Sequence, residues 1–126
     1  MISASAIIIQ GLSMPFISTK TNVTISSAQE NKLRSAIGNA IELIPGKSEK
    51  WLMLEFEGSK AISFAGTTEA CAMISTDVYG HADPEQYAGF TEKITDIVSS
   101  ELHIPPDRIY VAYSQTEIWG WAGRLF

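Results

Sequence analysis

The chain has 126 residues, which suits a single domain built around one hydrophobic core. Its formal charge is −5, with 9 Lys plus Arg scattered rather than clustered, and this argues against a phosphate-binding groove and so against nucleic acid as a partner. A single cysteine, Cys71, excludes an intrachain disulfide and fits a reducing, cytoplasmic setting, while no apolar run approaches the ~20 residues of a membrane helix, so no membrane partner is expected.

Residues 1–13 carry an apolar patch, Ala6-Ile7-Ile8-Ile9, with no basic region ahead of it. They read as an unstructured start or an added strand rather than a signal peptide. Residues 15–23 have strand character from Phe16, Ile17, Thr19, Thr21 and Val23. Ser27-Ala28-Gln29-Glu30 has the form of a capping box, and Leu33, Ile37, Ala40, Ile41 and Ile44 follow at helical spacing. Pro45-Gly46 ends that helix. A strand is expected over residues 51–57, a short pairing segment around Ile62-Ser63-Phe64, and a further strand over 71–79. Asp83 as N-cap, Pro84 and Gln86 open a second helix whose stripe is Tyr87, Phe90, Ile94, Ile97, Val98 and Leu102. Pro105-Pro106 stops it, residues 109–113 form a strand, and Trp119-Gly120-Trp121 makes a short edge piece or tail.

The order is strand, helix, strand, twice over, an α/β (α+β) arrangement of two β–α–β repeats. Phe16-Ile17-Ser18-Thr19 and Met73-Ile74-Ser75-Thr76 hold equivalent places 57 residues apart. Right-handed crossovers set both helices on one face of a common sheet. Trp51-Leu52-Met53-Leu54, Cys71-Ala72-Met73-Ile74 and Ile109-Tyr110-Val111-Ala112-Tyr113 do not alternate apolar with polar, which predicts strands apolar on both faces. Another copy of the chain is then the economical cover for the second face.

At Met14-Pro15 the chain begins to resemble the macrophage migration inhibitory factor family of the tautomerase superfamily. The resemblance rests on Pro15 directly after a methionine, on Thr21-Asn22, and on Gly46-Lys47 after the first helix. Phe64-Ala65-Gly66-Thr67-Thr68-Glu69-Ala70-Cys71 is similar to the family's Phe-Gly-Gly-Ser/Thr-x-Glu-Pro-Cys stretch. Gly80, then Pro106-Asp107-Arg108-Ile109-Tyr110, then Gly120-Trp121 complete the order and spacing. The resemblance implies a four-stranded mixed sheet with two antiparallel helices on one face, and a homotrimer whose sheets form a central barrel. It implies keto–enol tautomerisation of small aromatic 2-oxo acids such as phenylpyruvate, without metal or organic cofactor. It also divides the chain into an N-terminal extension, leader or misassigned start over residues 1–14 and a domain over residues 15–126.

Such a reaction needs a base whose pKa lies near the working pH. The resemblance assigns that role to Pro15 as a free N-terminal secondary amine, more basic than ordinary α-amines at roughly 7.7–8.0 and lowered toward neutrality by an apolar pocket. By itself Pro15 would read only as the start of a strand. The resemblance further implies that Lys47 meets the substrate carboxylate and that the backbone N–H of Tyr79 binds substrate. Tyr110 enters the pocket from a neighbouring subunit, and Trp119 and Phe126 form the apolar rim; Trp121 reads as structural packing. Taken singly, Lys47 would be a solvated lysine after a helix, and Tyr79 and Tyr110 ordinary strand aromatics.

Three features depart from the family pattern. Ala112 replaces an asparagine able to bond a ring hydroxyl, which predicts that phenylpyruvate is handled at least as well as its hydroxylated analogue. Cys71-Ala72-Met73-Ile74 lacks the second cysteine of a Cys-x-x-Cys redox pair. Residues 1–14 precede Pro15, and an amide-linked proline nitrogen has no basic lone pair. His81 and His103 lack the spacing of a metal site, and His103 suits a helix C-terminus. The competing expectation is a non-catalytic, cytokine-like trimeric interaction protein, secreted without a signal peptide and acting on an unidentified receptor, with Pro15 blocked.

Overall fold

In the computed structural model, which describes residues 14–126, the first strand β1 (Pro15–Thr21) opens on its proline. Proline gives the ladder no N–H, and the first position of a strand tolerates that loss. Helix α1 (Ser27–Ala40) is capped by Ser26, whose hydroxyl accepts from the Gln29 N–H at 3.1 Å while the Gln29 side chain accepts from the Ser26 N–H at 2.9 Å. The box therefore lies one residue earlier than Ser27-x-x-Glu30, because two overlapping patterns of the same chemistry compete and the chain's path selects one. Leu33, Ile37, Ala40, Ile41 and Ile44 are all buried, with a 3-10 turn at Ile41–Leu43 ahead of Pro45.

β2 (Met53–Glu57) starts after a second 3-10 turn at Glu49–Trp51, so Trp51 and Leu52 precede the strand expected to contain them. β3 (Ala72–Tyr79), α2 (Pro84–Leu102) and β4 (Ile109–Thr116) follow, and β5 (Gly120–Trp121) with β6 (Arg124–Leu125) closes the chain as a separate hairpin. At the start of α2 the Gln86 side chain accepts from the Asp83 N–H at 2.9 Å, and Pro84 takes the first helical position as expected. His103 ends α2 in the left-handed conformation at φ 57°, the geometry of a C-cap. The segment at Ile62-Ser63-Phe64 contributes only a bridge from Phe64 to Thr67. The patch Ala6-Ile7-Ile8-Ile9 lies outside the described residues.

The main sheet has the order β2-β1-β3-β4, with β1 antiparallel to β3 and each outer strand parallel to its neighbour. Its register records the internal repeat. Phe16 faces Met53 and Ala72 faces Ile109, the same offset of 37 residues in each half. Ser18 faces Ser75, the residue 57 positions on, so the approximate two-fold axis passes through that pair.

Both helices cover one face of the sheet. Leu33 and Ile37 of α1 and Phe90, Ile94 and Val98 of α2 meet Ile17, Ile74 and Val78 in one core. The uncovered face corrects the expectation of strands apolar on both sides. Phe16, Met53, Met73 and Tyr110 are apolar there, but Ser18, Lys20, Glu55, Glu57, Ser75, Asp77 and Ser114 share it. Lys20 bridges to Glu57 at 3.4 Å, and the Ser18 hydroxyl donates to Glu55 at 2.7 Å. Two of the continuous apolar runs straddle strand ends, with Trp51-Leu52 and Cys71 lying outside the ladders, while the third, Ile109–Tyr113, lies wholly within β4 and puts Tyr110 and Ala112 on the uncovered face.

Candidate active site

Three expected residues converge at the Pro15 end of the sheet. Pro15 is buried and faces Val78 across the β1–β3 ladder. Tyr79 follows Val78 at the end of β3, and its carbonyl accepts a hydrogen bond from Lys47 Nζ at 3.2 Å. Lys47 reaches that point because Gly46 turns the chain at φ 80° and the Lys47 N–H bonds back to the Ile44 carbonyl at 3.1 Å.

Lys47 is 7% exposed. Among the described residues no carboxylate lies within ion-pair distance of it. Burial holds its pKa below the ordinary lysine value of 10.5. A buried ammonium with only a carbonyl partner is costly and favours any anion that can reach it.

The C-terminal hairpin supplies the aromatic wall. Ala122 and Gly123 both have positive φ, 53° and 78°, which matches a tight turn to the twist of two strands. The hairpin is closed at its base by paired backbone bonds between Trp119 and Phe126, at 3.2 and 2.8 Å. The Phe126 ring lies 6.5 Å from that of Tyr79 and 6.3 Å from that of Trp121. Trp121 in turn meets Trp51 edge to face at 5.1 Å. A cavity of about 360 Å³ results, lined by Pro15, Lys50, Trp51, Met53, Trp119 and Trp121 among others. Its walls include all 3 tryptophans of the chain.

Tyr110 is not brought to this cavity within one chain. It is 61% exposed on β4, where it faces Met73, and its ring meets that of Phe64 at a tilt of 57° with 4.8 Å between centres. Met73 lies five residues along β3 from Val78, roughly 17 Å at the rise of an extended strand. Ala112 shares the uncovered face with Tyr110. Cys71 is buried and free, a packing residue.

The sequence assigns no site role to Lys50, Trp51 or Trp121, each of which lines the cavity. Trp51 reads there as the start of a strand, and an isolated lysine beside it carries no chemical signature. Trp121, read as packing, both packs on Trp51 and lines the cavity. A larger cleft lies elsewhere, about 810 Å³ between α2 and β4, where Tyr87 and Tyr113 stack at 4.4 Å. The charged residues of its lining are Glu92 and Asp96, both acidic, so it repels the carboxylate that Lys47 would attract.

The profile of the family described as Macrophage migration inhibitory factor (MIF) matches residues 14–126. Macrophage migration inhibitory factor of Rattus norvegicus is 28% identical over 115 residues, covering 90% of this chain and 99% of the relative. The homolog of Brugia malayi is 28% identical over 107 residues, with 82% and 90% covered. The crystal structure of Leishmania major MIF2 superposes with a TM-score of 0.85 at 32% identity, covering 90% of this chain and 98% of that one. A homologue from Prochlorococcus marinus gives 0.76 at 25% identity, with 88% and 98% covered. Strand order, repeated register and the match from Met14 to the last residue agree, and the chain belongs to the macrophage migration inhibitory factor family of the tautomerase superfamily.

Proposed function

We propose that this chain, with Pro15 at a free N-terminus, is a keto–enol tautomerase of arylpyruvates such as phenylpyruvate. The observation that carries the reading is Lys47, a buried cation without a counter-ion among the described residues, bonded one residue along β3 from the residue that faces Pro15. The substrate carboxylate meets Lys47, and the ring lies against Trp119 and Phe126. The Pro15 nitrogen removes a proton from the carbon between ring and carbonyl, and the electron pair moves to make the enol double bond. The same nitrogen then delivers the proton to the former carbonyl oxygen. No atom is gained or lost, and one group serves as base and acid. An apolar surround disfavours the prolinium ion and brings its pKa toward neutrality.

The backbone N–H of Tyr79 binds the substrate at the same end. In this reading Tyr110 comes from a neighbouring copy in a homotrimer, which accounts for its distance from Pro15 within one chain. With Met14 attached, the Pro15 nitrogen is an amide and not a base. Activity therefore belongs to the form that begins at Pro15, and a chain retaining residues 1–14 is catalytically silent. Phenylpyruvate turnover by the two forms, each verified by intact mass, tests this. Equal rates would remove Pro15 from the mechanism.

A further inference from the structure

Lys50 has no place in the reaction just described, yet it lines the Pro15 cavity and is the one charged side chain among the described residues that do so. Its Nζ lies 5.2 Å from the centre of the Trp51 ring, within reach of a cation–π contact, and its side chain is exposed. No carboxylate among the described residues pairs with it. Two cations lie at this end of the molecule: Lys47, buried at the Tyr79 carbonyl and not itself on the cavity's lining, and Lys50, exposed and on it.

A monoanionic aryl acid can satisfy only one of them. The buried ammonium, shielded from water, attracts the carboxylate more strongly than the hydrated one. A ring that reaches from Lys47 into this cavity brings the group at its far end toward the lining that includes Lys50. An unsubstituted phenyl group offers Lys50 no anionic partner, and neither do the tryptophan rings, whereas a second anion on the ring would.

Resting on the reading of this cavity as the substrate pocket, we infer that Lys50 is a specificity-determining residue for aromatic acids that carry a second anionic group on the ring, opposite the side chain that bears the first. An exposed ion pair is worth about 0.2–1 kcal/mol, which converts to a preference of up to about fivefold for the dianion.

The test uses binding, so that it does not depend on turnover. All 3 tryptophans line this cavity, and quenching of their fluorescence therefore reports ligand there. The full-length chain is titrated with 3-phenylpropanoate and with 3-(4-carboxyphenyl)propanoate, neither of which can tautomerise. The dianion should bind about three- to fivefold tighter at low salt, with the margin shrinking as salt is added. In Lys50→Gln the ratio of the two affinities should fall to about one, and in Lys50→Arg it should persist. A native ratio near one, an unchanged ratio in Lys50→Gln, or no quenching by either acid would overturn the inference. A Lys50-dependent ratio in a protein whose Pro15-initiated form leaves phenylpyruvate unturned would uphold the dianion site and reject the tautomerase.

Discussion

At the scale of single residues, Lys47 carries most of the argument. Burial lowers its pKa from 10.5, so between the lowered value and the ordinary one the unfolded chain binds more protons than the folded chain. Stability should accordingly rise with pH across that window, as the costly buried charge is released. Capture of a carboxylate has the opposite sign, because it needs the ammonium. The dissociation constant of 3-phenylpropanoate should climb as pH passes the lowered pKa, and Lys47→Arg, which stays charged, should lose that dependence. Affinity that stays flat up to pH 10.5 would separate Lys47 from the carboxylate. Two alanines carry a different cost. Ala65 and Ala122 each adopt φ 53° just before a glycine, in the left-handed region that suits glycine. Ala65→Gly and Ala122→Gly should each raise stability by about 0.5–1 kcal/mol, net of the extra freedom glycine gives the unfolded chain. Denaturant unfolding would show it, and a loss of stability would contradict the strain.

At the scale of elements, the landmarks Thr21-Asn22 and Arg108 turn out to be staples for the loop before β3. Asn22 donates to the carbonyls of Ile62, Thr68 and Glu69 at 3.3, 3.1 and 3.0 Å and accepts from the Cys71 N–H at 2.9 Å. Arg108 bonds the Ala70 and Glu69 carbonyls and lies over the Phe64 ring, which touches Tyr110. Asn22→Ala should cost about 2 kcal/mol, several part-exposed hydrogen bonds at 0.5–1.5 each and not fully additive. It should also loosen Phe64 and Tyr110, which proteolysis within residues 58–71 would report; an unchanged cleavage pattern would contradict the staple. These elements differ in how far the sequence disclosed them. Helical stripes were legible because burial on one face imposes a 3.6-residue period, as Leu33, Ile37 and Ile41 show. The C-terminal hairpin was not. Its turn is Ala122-Gly123, a weaker signal than Asn-Gly because alanine seldom takes positive φ, so Trp121 lost its site role. Pro15, Lys47 and Tyr79 were named from a family pattern, whereas their convergence depends on a ladder register that no local signal encodes.

At the scale of the whole molecule, the single chain leaves Met53, Tyr110, Ile118 and Leu125 between 61% and 75% exposed. Such side chains, set along the outer strands and the hairpin, suit burial against other copies. Light scattering should therefore give three times the mass of one chain, and Tyr110→Ala should impair phenylpyruvate turnover in spite of its distance from Pro15 within the chain. A monomeric mass at micromolar concentration would contradict the shared site. The central claim, that Pro15 is the base, is tested most directly by one comparison. Phenylpyruvate tautomerisation is followed with the chain beginning at Pro15 and with the chain retaining residues 1–14, each confirmed by intact mass. The account predicts turnover by the first and essentially none by the second. Equal turnover with residues 1–14 still attached would contradict it.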